Sequence, residues 1–409
     1  MERIVERACG LDVHKKTVAA CVRVPGARGT RAQHVRTFGT TTPELLALAD
    51  WLGGHGVTHV AMESTGVYWK PVFYLLEARF TCLLANAVHI AKVPGRKSDV
   101  QDCVWLAQLL EHGLLRGSFV PPIPIRELRD LTRYRKSVIE ERTRETSRLH
   151  KVLEDAGIKL TSVATDVLGK SGRAILAALL AGTSDPNVLA ELARGRMRAK
   201  LPALRQALVG QFRAHHAFLL TQLLAHIDYL DELIEAISER ITAAIQPFTE
   251  QVDRLDAMPG VNRRTAEVLI AEVGVDMTVF PSPRHLASWA GVCPGNHESA
   301  GKRRSGRTRK GNRWLRMALT EAASSVSRTT NTAFGARYRR IMRHAGHKKA
   351  VIAVAHAILV AAYHLLVGGV EYRESGPDYY DRRHAERARR RALQTLERQG
   401  YRVTIEPAA

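Results

Sequence analysis

The hydrophobic period of this chain changes along its length, and no other feature limits the fold as strongly. Between Arg7 and Phe38 lie three short runs rich in β-branched residues, ACGLDVH, TVAACVRV and AQHVRTF. Lys15-Lys16 and Pro25-Gly26 separate them, which predicts an antiparallel meander. Thr42 then caps a predicted helix over 42–52, and 57–62 reads as a buried strand, 67–78 as a helix and 82–86 as another strand. This alternation is α/β. A basic loop, AKVPGRKSD, leads into a helix over 100–112, and Pro121, Pro122 and Pro124 mark a boundary.

Beyond that boundary the period is helical. Residues 125–156 form one long charged helix, and from Leu201 to Ile245 apolar residues recur at threes and fours, as in a coiled coil or bundle arm. The stretch 161–198 reads as shorter helices joined by loops. In 256–274 (DAMPGVNRRTAEVLIAEVG) a Pro-Gly turn joins helical segments. It resembles the helix-hairpin-helix element of DNA-binding proteins, and equally an ordinary glycine-capped turn. A short helix over 280–290 precedes CPGNHESAGKRRSGRTRKGNRWLR, residues 293–316, a basic Gly/Ser loop entering a helix. Four segments follow: 1–120 α/β, 121–250 helical, 251–370 mainly helical, and a charged tail over 371–409.

The net charge of +21 suits a polyanionic partner, whether nucleic acid, an anionic membrane surface or ribosomal RNA, because a basic surface that neutralises phosphates releases counterions. The five cysteines are scattered and lack a C-x-x-C pair, so free thiols and a reducing cytosol are expected. No export signal is visible at the N-terminus. The apolar run 350–370 is long enough to span a bilayer, but His356 and His364 within it favour a helix buried in protein.

Four carboxylates are placed where a cation would help. Asp12 interrupts an apolar strand and Glu63 ends another, positions at which a lone carboxylate is desolvated at a cost. Asp99 and Asp102 lie three apart at a helix start, on one face. Together they would make a hard-oxygen site suited to magnesium or manganese. The alternatives are an Asx-type turn at Asp12, a cap at Glu63 and N-terminal helix charges at Asp99 and Asp102. In the basic loop, Lys302, Arg303 and Arg304 surround Ser299 and Ser305, either of which suits a phosphate contact or a turn. Lys97, Arg307, Arg309, Lys310 and Arg313 suit contacts to a nucleic-acid backbone. Trp314 among these cations would stack on a base or fill the core.

The motifs GLDVHKKTV, VAMESTGVYW and KSDVQDCVWLAQLL near the N-terminus, with ASWAGVCPGNHESAGKRRSGRTRKGNRWLR and GHKKAVIAVAHAILV near the C-terminus, fall in one order. In this the chain resembles the DEDD transposases of the insertion-sequence one-ten type, which include the Piv-like DNA invertases. The resemblance implies a RuvC-like, ribonuclease H-like N-terminal domain, a coiled-coil middle and a C-terminal transposase domain. It implies that Asp12, Glu63, Asp99 and Asp102 bind metal and that Ser299 is a nucleophile forming a phosphoserine link to DNA. It further implies a homo-oligomer with composite active sites and a guiding bridge RNA. The competing functions are a junction nuclease that uses water, with Ser299 as a phosphate contact, and a non-catalytic nucleic-acid-binding protein.

Overall fold

The computed structural model describes residues 2–64, 66–86, 101–295, 297–299 and 302–404, which divide into two compact units, 1–120 and 121–409. The first contains a five-stranded sheet of β1 (Ala8–Val13), β2 (Thr17–Pro25), β3 (Arg31–Gly39), β4 (His59–Glu63) and β5 (Thr81–Ala85), in the order β3-β2-β1-β4-β5. β1 pairs antiparallel with β2 and parallel with β4, so the meander and the parallel half share β1. β1 is covered on both faces, as its nearly unbroken apolar sequence requires. β3 lies at the edge with most of its residues exposed.

Helices α1 (Thr42–Gly54) and α2 (Trp69–Leu76) cover one face, packing Leu48, Leu52 and Leu76 against Leu11, Val60 and Met62. Helix α3 (Gln101–Glu111) covers the other. Gly10 allows α3 to come this close: a Cβ there would stand 2.1 Å from the Cys103 carbonyl oxygen and 2.5 Å from the Ala107 nitrogen. The far end of α3 is held by Glu111, 1% exposed, whose carboxylate accepts from Arg23 Nε at 2.9 Å and from Arg31.

The second unit is almost wholly helical. Two long helices, α4 (Ile123–Asp155) and α9 (Ala214–Ile245), pack on each other. Between them α5 (Leu160–Val163), α6 (Lys170–Leu180), α7 (Pro186–Glu191) and α8 (Leu201–Ala207) enclose a separate core. The apolar period from Leu201 is therefore not one helix. It breaks at Gly210, where a Cβ would meet the Ala156 carbonyl oxygen at 2.4 Å, and Gln211 N donates to that oxygen at 2.7 Å.

Next come α10 (Thr249–Asp256), α11 (Arg263–Val273), α12 (Pro283–Trp289), the hairpin β6 (His297–Ser299) and β7 (Lys302–Ser305), α13 (Arg313–Val326), α14 (Ala333–Ala345), α15 (His347–Gly368) and α16 (Tyr379–Arg398). Helix α15, the apolar run, is the one helix among the described residues long and apolar enough to cross a membrane. Here Ala350, Val354, Ala355 and Ile358 are buried within the protein.

Most helix and strand limits fall within three residues of those read from the sequence. Two details differ. Thr41, not Thr42, precedes α1, and no side chain caps it; instead Glu44 accepts from Gly39 N at 3.2 Å. The basic loop is partly a β-hairpin, which its Gly and Ser content hid.

Candidate functional site

The acidic site is built by the sheet. Leu11 pairs with Met62 in the parallel ladder, so Asp12 and Glu63, one step on, end up side by side and on one face. That is the face of α3. Gly10, two residues before Asp12, touches α3, and Ala19, across from Asp12, packs against Cys103 and Ala107. Asp102 lies in the first turn of α3. Cys103, next to it, senses both acids: burial pushes its thiol pKa up, and the charges of Asp12 and then Asp102 push the same way.

The structure thus brings Asp12, Glu63 and Asp102 to one side of the sheet, all half-buried. Asp99 and Lys97 lie outside the described residues. Among the described residues no backbone N–H donates to the Asp12 carboxylate; its Oδ2 stands 3.1 Å from Nε2 of the exposed His14, and its side chain is 20% exposed. Three carboxylate side chains share this face, donors of the kind a hard divalent cation takes.

The basic region is built differently. Ser299 ends β6, opposite Lys302, with a bulge between His297 and Glu298. Below the hairpin the two chain segments are clamped: Gly295 N donates to Arg307 O at 2.8 Å, and Pro294 bridges to Thr308. Lower still, Gly291 and Gly311 touch, so that a Cβ on Gly311 would lie 2.4 Å from Gly291 N. Asn312 then caps α13, accepting from Trp314 N and Leu315 N, both at 3.0 Å. Arg307, Arg309, Lys310 and Arg313 are exposed around this base. Trp314 is half-buried, with the Arg313 and Arg133 guanidiniums 4.8 Å and 5.8 Å from its ring centre.

An arginine-carboxylate lattice, not anticipated from the sequence, supports this base. Glu272 is fully buried; Arg133 binds it twice, at 2.7 Å and 2.8 Å, and Asn312 Nδ2 donates to it at 2.6 Å. Arg129 donates to the Glu272 carbonyl at 2.6 Å, and Arg135 to Glu267 at 2.6 Å. Arginines four and two apart on α4 were the available signal, but their partners are more than a hundred residues away. In the Pro-Gly element, Gly260 has φ +82° and lies against α13, and Asn262 caps α11 by accepting from Thr265 N at 2.9 Å.

Among the described residues one group has its ligand atoms within 4.8 Å of one another, as a bound metal would need: Asp155, His215 and His216. Its visible role is structural. His216 Nδ1 accepts from Arg213 N at 3.1 Å, and Nε2 pairs with Asp155 at 2.9 Å, which ties the start of α9 to the end of α4.

Both regions fall within matches to known proteins. Residues 9–158 match a family model described as a transposase of the DEDD class, and 252–339 match one described as "Transposase IS116/IS110/IS902 family". A probable family 20 transposase of Pseudomonas aeruginosa is 26% identical over 303 residues, 73% of this chain and 80% of that protein. The pilin gene-inverting protein of Moraxella bovis is 23% identical over 377 residues, 87% of this chain and 94% of its own. An insertion element protein of Streptomyces coelicolor is 34% identical over 125 residues, 30% of each chain. The chain belongs to the IS110 family of transposases.

Proposed function

We propose that this protein cleaves and rejoins DNA through Asp12, Glu63, Asp99 and Asp102 as metal ligands and Ser299 as nucleophile. The observation that carries the reading is the convergence of Asp12, Glu63 and the first turn of α3 on one face of the sheet. The strand order β3-β2-β1-β4-β5 supports a RuvC-like, ribonuclease H-like domain over 1–120. The remaining chain divides in this reading into a coiled-coil region, 121–250, a serine transposase domain, 251–370, and a charged tail, 371–409.

Magnesium, or manganese in its place, would supply charge to offset what develops on the scissile phosphate. The side chain of Ser299 attacks phosphorus, and a bridging oxygen leaves as the strand's hydroxyl and takes a proton. The new ester is a phosphoserine, and attack on it by a different strand's hydroxyl regenerates the serine and completes the exchange. Lys302, Arg303 and Arg304 flank Ser299 and would hold the phosphate, while Arg307, Arg309, Lys310 and Arg313 at the hairpin base, with Lys97, hold backbone around it.

In this reading the acidic centre of one subunit meets the serine of another in a dimer or tetramer, and a bridge RNA pairs with donor and target DNA. Trapping on a cleavable duplex tests the nucleophile. The covalent adduct should vanish in Ser299→Ala and persist in Ser305→Ala. An adduct that survives Ser299→Ala, or metal-dependent cutting with no adduct in the unaltered protein, overturns the serine assignment and favours a water-using nuclease.

A further inference from the structure

Between Glu321 and Glu371 the chain has no Asp or Glu, yet it carries Arg328, Arg337, Arg339, Arg340, Arg343, Lys348 and Lys349. The structure gathers most of these at the corner where α14 turns through Gly346, φ +80°, into α15. Arg337 and Arg339 have structural work. Arg337 donates to the Tyr380 hydroxyl at 3.2 Å, and Arg339 to the Thr329 and Thr330 carbonyls at 2.6 Å and 2.9 Å, closing the end of α13.

Arg340, Arg343, Lys348 and Lys349 are exposed, and among the described residues none of their side chains makes an ion pair or hydrogen bond. Arg340 and Arg343 share one face of α14 and, with Arg339, line a cavity of about 430 Å³ closed by Ala336, Pro377 and Tyr380. Stability does not explain the lysines. They stand in the first turn of α15, where the helix dipole is positive and an acid is the favourable residue, and none is present.

We propose that this corner is a second DNA-binding surface, which grips the phosphate backbone of duplex DNA away from the strand being cut. A cluster of like charges, two of them held against the dipole of α15, costs folding energy, and a line of phosphates reverses that cost by releasing counterions. The aromatic rings beside the patch are already engaged: Tyr338 is buried with its hydroxyl 2.7 Å from His347 Nδ1, and Tyr380 is half-buried under Arg337. With neither tyrosine offered for base stacking, the surface suits a paired backbone better than a single strand.

The test is fluorescence anisotropy of the full-length protein on a labelled duplex, over a salt series. Replacing Arg340, Arg343, Lys348 and Lys349 together by Gln should flatten the slope of log affinity against log salt by about 3 to 4, at roughly 0.9 for each phosphate no longer neutralised. Binding at low salt should fall at least tenfold, with the melting temperature unchanged or higher. Should the fourfold variant misfold, Arg343→Gln and Lys349→Gln alone should each flatten the slope by about 0.9. A folded variant that keeps the full slope overturns the proposal. So does a greater loss on duplex RNA or single-stranded DNA than on duplex DNA.

Discussion

Two sets of carboxylates in this molecule meet opposite fates. Glu111, Glu267 and Glu272 are buried, and each is bound by arginine: Arg23 and Arg31 for the first, Arg135 for the second, Arg129 and Arg133 for the third. Asp12 and Asp102 are half-buried, and among the described residues no arginine binds either. A buried acid with its guanidinium in place is committed to the fold, because removing one partner strands the other charge. An acid at the rim of a sheet, on the face other acids share, has no guanidinium to commit it to the fold. In the proposed reading, the difference separates scaffold from chemistry more sharply than burial or residue type does.

That contrast can be broken by mutation. Asp12→Asn should lower strand cleavage on the order of 10³-fold while the melting temperature holds or rises, since a half-buried charge with no arginine partner is gone. Cleavage that survives would move Asp12 into the scaffold set. Glu272→Ala should do the reverse, costing about 3–5 kcal/mol in chemical denaturation by stranding Arg133. A loss under about 1 kcal/mol would show that the lattice is not structural.

Gly10→Ala sharpens the comparison by displacing α3 from the sheet. It should cost about 1–3 kcal/mol from overpacking and reduce cleavage along with stability, since Asp102 moves with the helix. Full activity in a destabilised variant would separate α3 from the site.

The smallest effect is in pH. Burial first, and the charge of Arg337 second, hold His356 below its ordinary value of 6.5. The unfolded chain therefore takes up that proton more readily than the folded one. The stability His356 contributes is complete above 6.5 and declines as pH drops toward the lowered folded value. His356→Gln should flatten the change in melting temperature between about pH 7.5 and about pH 5.5, and an unaltered curve would assign the acid sensitivity elsewhere.

The sheet was legible because strands declare themselves locally: short β-branched runs and turn residues located β1 to β5, and Asp12 and Glu63 stood out as acids at strand ends. The helical interruption at Gly210 was not legible, since only contact with Ala156 distinguishes that glycine from any other. The same holds for Glu267 and Glu272, which read as polar residues of an amphipathic helix until the arginines of α4 arrive from far along the chain. The cationic corner left a trace in the sequence, a long stretch bounded by Glu321 and Glu371 with no acid inside. Its meaning depends on which of those cations the fold leaves unpaired.

The contact between Gly291 and Gly311 has a consequence for how such a protein diversifies. Where two main chains meet with no side chain between them, the aim of everything above is set by peptide geometry. Substitutions at the tip can change which phosphate is approached and how tightly without turning the hairpin, whereas a single methyl group at the foot would redirect it.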